Sequence, residues 1–136
     1  MKIIFLDVEG VLNGGESFLE PKCLKNLQKL IKKTKAKIVI TSNWRKTEAG
    51  REKLLKGLKE YDLAKEVVGW TPSLGRRKQE IHAYLLTLAT PPQNFIIIDD
   101  VVEKMTEYLS FIIKVDGKVG LTEENVLEAI EKLELY

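Results

Sequence analysis

Two pairs of carboxylates follow apolar runs in this chain. Asp7 and Glu9 come after Ile3–Leu6, and Asp99 and Asp100 come after Phe95–Ile98. Acids at the end of a buried segment are costly unless something positive meets them. Gathered at one place, four carboxylates repel one another, and a hard cation with oxygen ligands relieves them. Mg²⁺ fits such a site when it also holds a phosphate. The chemistry this suggests is phosphoryl transfer. Asp7 would attack phosphorus in line and become an aspartyl phosphate. Glu9 would protonate the leaving oxygen and then activate water. A hydroxyl from Ser42 or Thr41 and a cation from Arg77 or Lys78 would hold the phosphate oxygens. Asp99 and Asp100 would hold the metal.

These residues can meet only if the elements before them share one sheet. Ile3–Leu6, Ile38–Ile40, Val67–Trp70, Phe95–Ile98 and Phe111–Val115 read as strands, and the continuous apolar runs among them suit strands buried on both faces. Gly10 allows a sharp turn after the first. Between them lie helical patterns: Pro21 at a helix start with Leu24, Leu27 and Ile31; Leu54, Leu55, Leu58 and Tyr61; Ile81, Tyr84, Leu85 and Leu88 after Arg76-Arg77-Lys78, ended by Pro91-Pro92; and Val126, Ala129, Ile130 and Leu133 after a Thr122 cap. A short helical stretch is expected around Glu103–Leu109. Gly14–Ser17 could form a flap over the first strand's tip. The alternation predicts an α/β fold, a three-layer sandwich with a central parallel sheet of about five strands and helices on both faces. Ligands of such sheets lie beyond the carboxyl ends of the strands, where all the residues above gather.

Composition excludes other classes. With 136 residues the expectation is one domain over 1–136, and a formal net charge of +2 does not by itself demand nucleic acid. Cys23 is the one cysteine, so there is no internal disulfide framework, and it reads as a small buried hydrophobe. His82 is the one histidine, which argues against a histidine zinc site or a Ser-His-Asp triad. No apolar stretch approaches the roughly 20 residues of a membrane span. With no signal-peptide pattern, a cytoplasmic location is expected. Trp44 reads as a core or rim residue before a base-stacking platform.

Asp7-Val8-Glu9-Gly10-Val11-Leu12-Asn13 resembles the first motif of the haloacid dehalogenase (HAD) superfamily, Asp-x-Asp-Gly-hydrophobic-hydrophobic. The strand ending in Thr41-Ser42 resembles the second motif, the basic start of the third helix the third, and Ile98-Asp99-Asp100 the fourth. Ser42-Asn43-Trp44-Arg45, Arg77 three residues before Glu80-Ile81, and Gly120-Leu121-Thr122 resemble the small HAD domain of Swiss-army-knife RNA-repair proteins. The resemblance implies a Rossmann-like core and a Mg²⁺-dependent phosphatase working through an aspartyl phosphate. It implies that Asp7 binds the metal through its carboxylate and Glu9 through its main-chain carbonyl, with Asp100 a direct ligand and Asp99 acting through water. Ser42 is preferred over Thr41 and Arg77 over Lys78, with Ser42, Asn43, Arg45 and Arg77 as substrate contacts.

Glu9 departs from the pattern, which has Asp there. It is one methylene longer, and an offset on the order of 1 Å can cost about 10²-fold in rate. A slow enzyme, or a module that binds without turnover, is therefore the alternative. The intervals that carry cap domains in many HAD enzymes hold only single helices and one short strand, so an open site is expected. Open sites suit large phosphorylated substrates, nucleic-acid ends among them, or oligomers that cap each other. Lys32, Lys33, Lys35, Arg45, Arg76, Arg77 and Lys78 could meet a phosphate backbone. Receiver domains and topoisomerase-primase domains distribute their acids in the reverse way.

Overall fold

A computed structural model describes residues 1–15, 18–102 and 105–134. Its centre is a five-stranded sheet of β1 (Lys2–Leu6), β2 (Lys37–Ile40), β3 (Val67–Trp70), β4 (Asn94–Asp99) and β5 (Ile112–Lys114). The order is β3-β2-β1-β4-β5 and every pairing is parallel. Parallel neighbours require crossovers, and α1 (Pro21–Thr34), α2 (Glu48–Lys59), α3 (Arg77–Thr87) and α4 (Glu123–Leu133) accompany them.

Alternation along the strands divides the core into two layers. Ile4, Leu6, Ile38, Ile40, Ile96 and Ile98 pack with Leu27 of α1, Leu58 of α2 and Ala129 of α4. Ile3, Phe5, Val39 and Ile97 point the other way, toward Ile81 of α3. All these strand residues are almost wholly buried, and each contributes roughly 1.5–3 kcal/mol by leaving water. Both faces are thus covered, as the apolar runs require, and the result is a Rossmann-like α/β sandwich. Among the described residues, no second domain is inserted between the elements. No helix among them is long and apolar enough to cross a membrane.

Local chemistry explains most boundaries. Pro21 opens α1, and Lys35 closes it in the left-handed conformation. Thr47 caps α2 by accepting from Gly50 N at 3.0 Å, and Thr122 caps α4 in a reciprocal box with Asn125. α3 ends at Thr87, ahead of Pro91-Pro92, where the Thr87 hydroxyl donates to the Tyr84 carbonyl at 2.6 Å. The stretch expected around 103–109 is a 3-10 segment at Thr106–Phe111, and its first expected residues, 103 and 104, lie outside the described residues. So does half of the suggested flap, residues 16 and 17. Its other half is tied down, since Gly14 N donates to Glu20 Oε1 at 3.0 Å and Gly15 N to Asn13 Oδ1 at 2.9 Å.

The register aligns the strand tips. Leu6 pairs with both Ile40 and Ile98, and Ile98 with Ile113. Main-chain bonds carry the alignment one residue further: Asp7 N to Ile98 O at 3.1 Å, Thr41 N to Leu6 O at 3.0 Å, and Thr71 N to Ile40 O at 3.0 Å. Residues far apart in sequence therefore meet at one carboxyl edge.

Candidate active site

Asp7, Asp99 and Asp100 form the centre of that edge, each offering a carboxylate oxygen within 4.8 Å of the others. Asp7 and Asp99 are buried and Asp100 is half-buried. Gly10, at φ +78°, and Gly117 flank Asp100, and a Cβ on either would overlap its Oδ2. These two glycines give the carboxylate its room. Asp99 is engaged at both oxygens: Oδ1 accepts from Val101 N at 3.0 Å and Oδ2 from Arg77 Nη1. The same Arg77 nitrogen lies 3.6 Å from Asp7 Oδ2.

One guanidinium cannot neutralise three acids. Burial first, then the Asp99 charge and a hydrogen bond with Asp100, push the Asp7 carboxyl up to about 8, against the opposing pull of Arg77. Burial likewise raises Asp99, with Arg77 pulling the other way. Burial works against the charged form of Arg77, but Asp99 and Asp7 outweigh it and hold the guanidinium charged.

The cleft over this centre measures about 780 Å³, and Asp7, Glu9, Asn43, Lys46, Arg77 and Asp100 are among its lining residues. Glu9 is exposed at the mouth, and its carboxylate is not part of the Asp triplet. Asn43 begins a 3-10 turn, Asn43–Lys46, capped by Ser42, whose Oγ accepts from Trp44 N at 3.2 Å. Thr41 and Ser42 are both buried. Two buried side-chain donors lack a partner among the described residues, Thr41 Oγ1 and Arg77 Nε. Both are on residues that the sequence marks for phosphate contact; Arg77 lines the cleft, and Thr41 follows the end of β2.

Three sequence-derived expectations are corrected here. Arg45 is not at the substrate surface. Its side chain is 3% exposed, and its Nε bonds Thr71 O at 2.8 Å, its Nη1 bonds Thr41 O at 2.9 Å and Ser42 O at 2.8 Å, and its Nη2 bonds Pro72 O at 3.1 Å. Its Nη2 also pairs with Glu80 Oε2 at 2.8 Å, so every donor is spent on the fold. Lys78 lines the cleft but pairs with Glu107 instead of the Asp triplet. Lys32 and Lys35 line a separate depression of about 300 Å³ with Lys37 and Lys65, at the amino-terminal end of β2. Lys46, Arg76 and Gln79 line the cleft, and the motifs do not mark Lys46 or Gln79. Their positions on a turn and a helix start next to marked residues were the available signal. Cys23 is buried in the core, and His82 is exposed.

A family model described as the HAD domain in Swiss Army Knife RNA repair proteins matches residues 3–126. The chain belongs to this family. No curated protein and no solved structure matches it significantly. The match to the HAD domain runs from β1 into α4, so it takes in both acidic strand tips, the Thr41-Ser42 end of β2 and Arg77.

Proposed function

We propose that this HAD domain is a Mg²⁺-dependent phosphohydrolase that works through an aspartyl phosphate on Asp7 and removes phosphate from the end of a nucleic-acid chain. The observation that carries the reading is the Asp7, Asp99 and Asp100 triplet beside Arg77. An all-oxygen donor set with more negative charge than its surroundings neutralise fits Mg²⁺. Asp7 and Asp100 would hold the ion, with the Glu9 main-chain carbonyl. Asp99, already engaged at both oxygens, suits a role through water. Bound there, the ion would lower the repulsion between the Asp7 carboxylate and an incoming phosphate.

The residues then divide the work. Asp7 Oδ attacks phosphorus, and the bond to the leaving oxygen breaks. Glu9 gives that oxygen its proton. Glu9 next takes a proton from a water that attacks the phosphoryl group, which releases phosphate and restores Asp7. Arg77 and the unpartnered hydroxyl of Thr41 hold the equatorial oxygens. That unmet donor favours Thr41; the Ser42 Oγ accepts from Trp44 N and keeps its own proton to donate. The cations Lys46, Arg76, Arg77 and Lys78 around an open cleft support a nucleic-acid end, as does the family's description.

Phosphate release from phosphorylated oligonucleotides and small esters tests the reading, run beside Glu9→Asp. Turnover is expected in both, with Glu9→Asp no slower than the natural chain. A loss on the order of 10²-fold would show a geometry built around the longer side chain. Absence of turnover on every ester, with Mg²⁺ still bound, would favour the second reading that Glu9 motivates, a binding module without catalysis.

Metal occupancy has its own readout. Between the ordinary value of 3.8 and about 8, the folded protein keeps the Asp7 proton and the unfolded chain does not. The contribution of the protonated Asp7 to the stability of the metal-free protein is thus fully present below about pH 4 and is lost as pH rises through about 8. Mg²⁺ at about 100 times its Kd adds about 2.7 kcal/mol, and the rise in Tm is expected to be larger near pH 8 than near pH 5, where protons compete. Equal rises at both, or an equal rise in Asp100→Asn, would contradict this ligand set.

A further inference from the structure

Beside the cleft lies a second groove of about 490 Å³, lined by Glu9, Asn43, Trp44, Thr47 and Lys53 among others. Glu9 and Asn43 line both, so the two spaces adjoin. We infer that this groove is the leaving-group subsite, in which Trp44 stacks a nucleobase of a single-stranded nucleic acid and Lys53 meets the phosphate next to it. The inference rests on the phosphohydrolase reading.

Direction comes from Glu9. The group that protonates the leaving oxygen must touch it, so the leaving alcohol departs toward Glu9 and the substrate continues into the space that Glu9 also lines. A small ester ends there, whereas a nucleotide chain goes on.

Trp44 is built as a rigid platform. It sits in the Asn43–Lys46 turn with its N–H fixed to Ser42 Oγ. A Cβ at Gly50 would overlap the Trp44 carbonyl, so α2 packs tightly on the turn. The half-buried ring rests on the core, and Lys53 Nζ stands 5.0 Å from the ring centroid. An exposed cation over an aromatic ring is worth about two- to five-fold in affinity. A stacked base is worth about five- to 150-fold. The stack is worth more than that contact, and Lys53, exposed at the groove, meets a backbone phosphate. Among the described residues Glu9 is the one carboxylate lining the groove, and it stands at the junction with the cleft, where it has catalytic work. A phosphoprotein fits less well, because the described walls of the groove come from a loop, a turn and a helix, with no strand edge among them for a peptide to pair with.

The test compares a single-stranded tetranucleotide carrying a terminal phosphate with p-nitrophenyl phosphate. Trp44→Leu is expected to raise the ratio of the two KM values on the order of 10-fold, and Trp44→Phe to restore most of it, because a phenyl ring still stacks. An unchanged ratio, or equal loss in the Leu and Phe variants, would overturn the subsite. Binding gives a second readout that does not need turnover. Trp70→Phe leaves Trp44 as the one tryptophan of two. The tetranucleotide should quench its fluorescence saturably where inorganic phosphate does not. If the protein hydrolyses neither substrate, the phosphohydrolase reading falls, and the quenching alone decides the groove: saturation supports it, and its absence overturns it.

Discussion

Asp7→Asn is expected to lower kcat for any accepted phosphate ester on the order of 10⁴-fold or more, because the nucleophile is gone while the rest of the edge stays. The variant should also be more stable than the natural chain in metal-free buffer at neutral pH. Burial and Asp99 hold the Asp7 carboxyl up to about 8, so its folded environment disfavours the charge that the unfolded chain carries freely. Asn has nearly the same shape and carries no charge. An inactive protein with an undiminished Tm therefore separates lost chemistry from a lost fold. Robust turnover by Asp7→Asn would remove Asp7 from the mechanism.

Arg45→Ala is expected to cost about 3–5 kcal/mol, the loss typical of a buried ion pair broken from one side. That is a large part of the roughly 5–15 kcal/mol a domain has. The cost follows from position. Arg45 gathers carbonyls at the end of β2 (Thr41, Ser42) and the end of β3 (Thr71, Pro72), and Glu80 on α3, one turn from Arg77. Glu80 Oε2 also accepts from Leu74 N at 2.8 Å. Removing Arg45 leaves a buried carboxylate with that amide, without its paired charge, and with only the longer-range pull of Arg77. Urea unfolding should show a lower midpoint at unchanged slope. Arg45→Lys should recover little, because a point charge cannot make the fork. The double variant Arg45→Met/Glu80→Leu should lose less than Arg45→Ala. A loss below about 1 kcal/mol would mean the pair does not hold these tips together.

The parts of the site legible in sequence are those that depend on local pattern. Ile3–Leu6 and Phe95–Ile98 are apolar on both faces, so they had to be central strands, and the acids after them had to reach a strand end. An arginine beside a strand tip, as Arg45 is, has the same local appearance whether it meets phosphate or carbonyls. Only the closing of residues 71–72 and Glu80 over it decides. Arg77 and Lys78 are neighbours about 100° apart on a helix, and sequence order does not say which one faces the Asp triplet. The packing of Ile81 toward Phe5 and Ile97 sets that rotation. Gly117 follows Asp116 in the turn after β5, and its missing side chain makes room for Asp100. That proximity exists only because β5 pairs with β4.

The aspartyl phosphate itself is the most direct object to measure. Glu9→Gln lacks the carboxylate that would activate water, so the second half of the reaction should stall. A good leaving group such as p-nitrophenolate needs no proton to depart, so the first half should proceed. Rapid acid quench of Glu9→Gln with Mg²⁺ and p-nitrophenyl phosphate, followed by peptide mass spectrometry, is expected to find a phosphoryl group on Asp7. Release of p-nitrophenolate with no phosphoryl group on the chain, or with one on another residue, would contradict the mechanism.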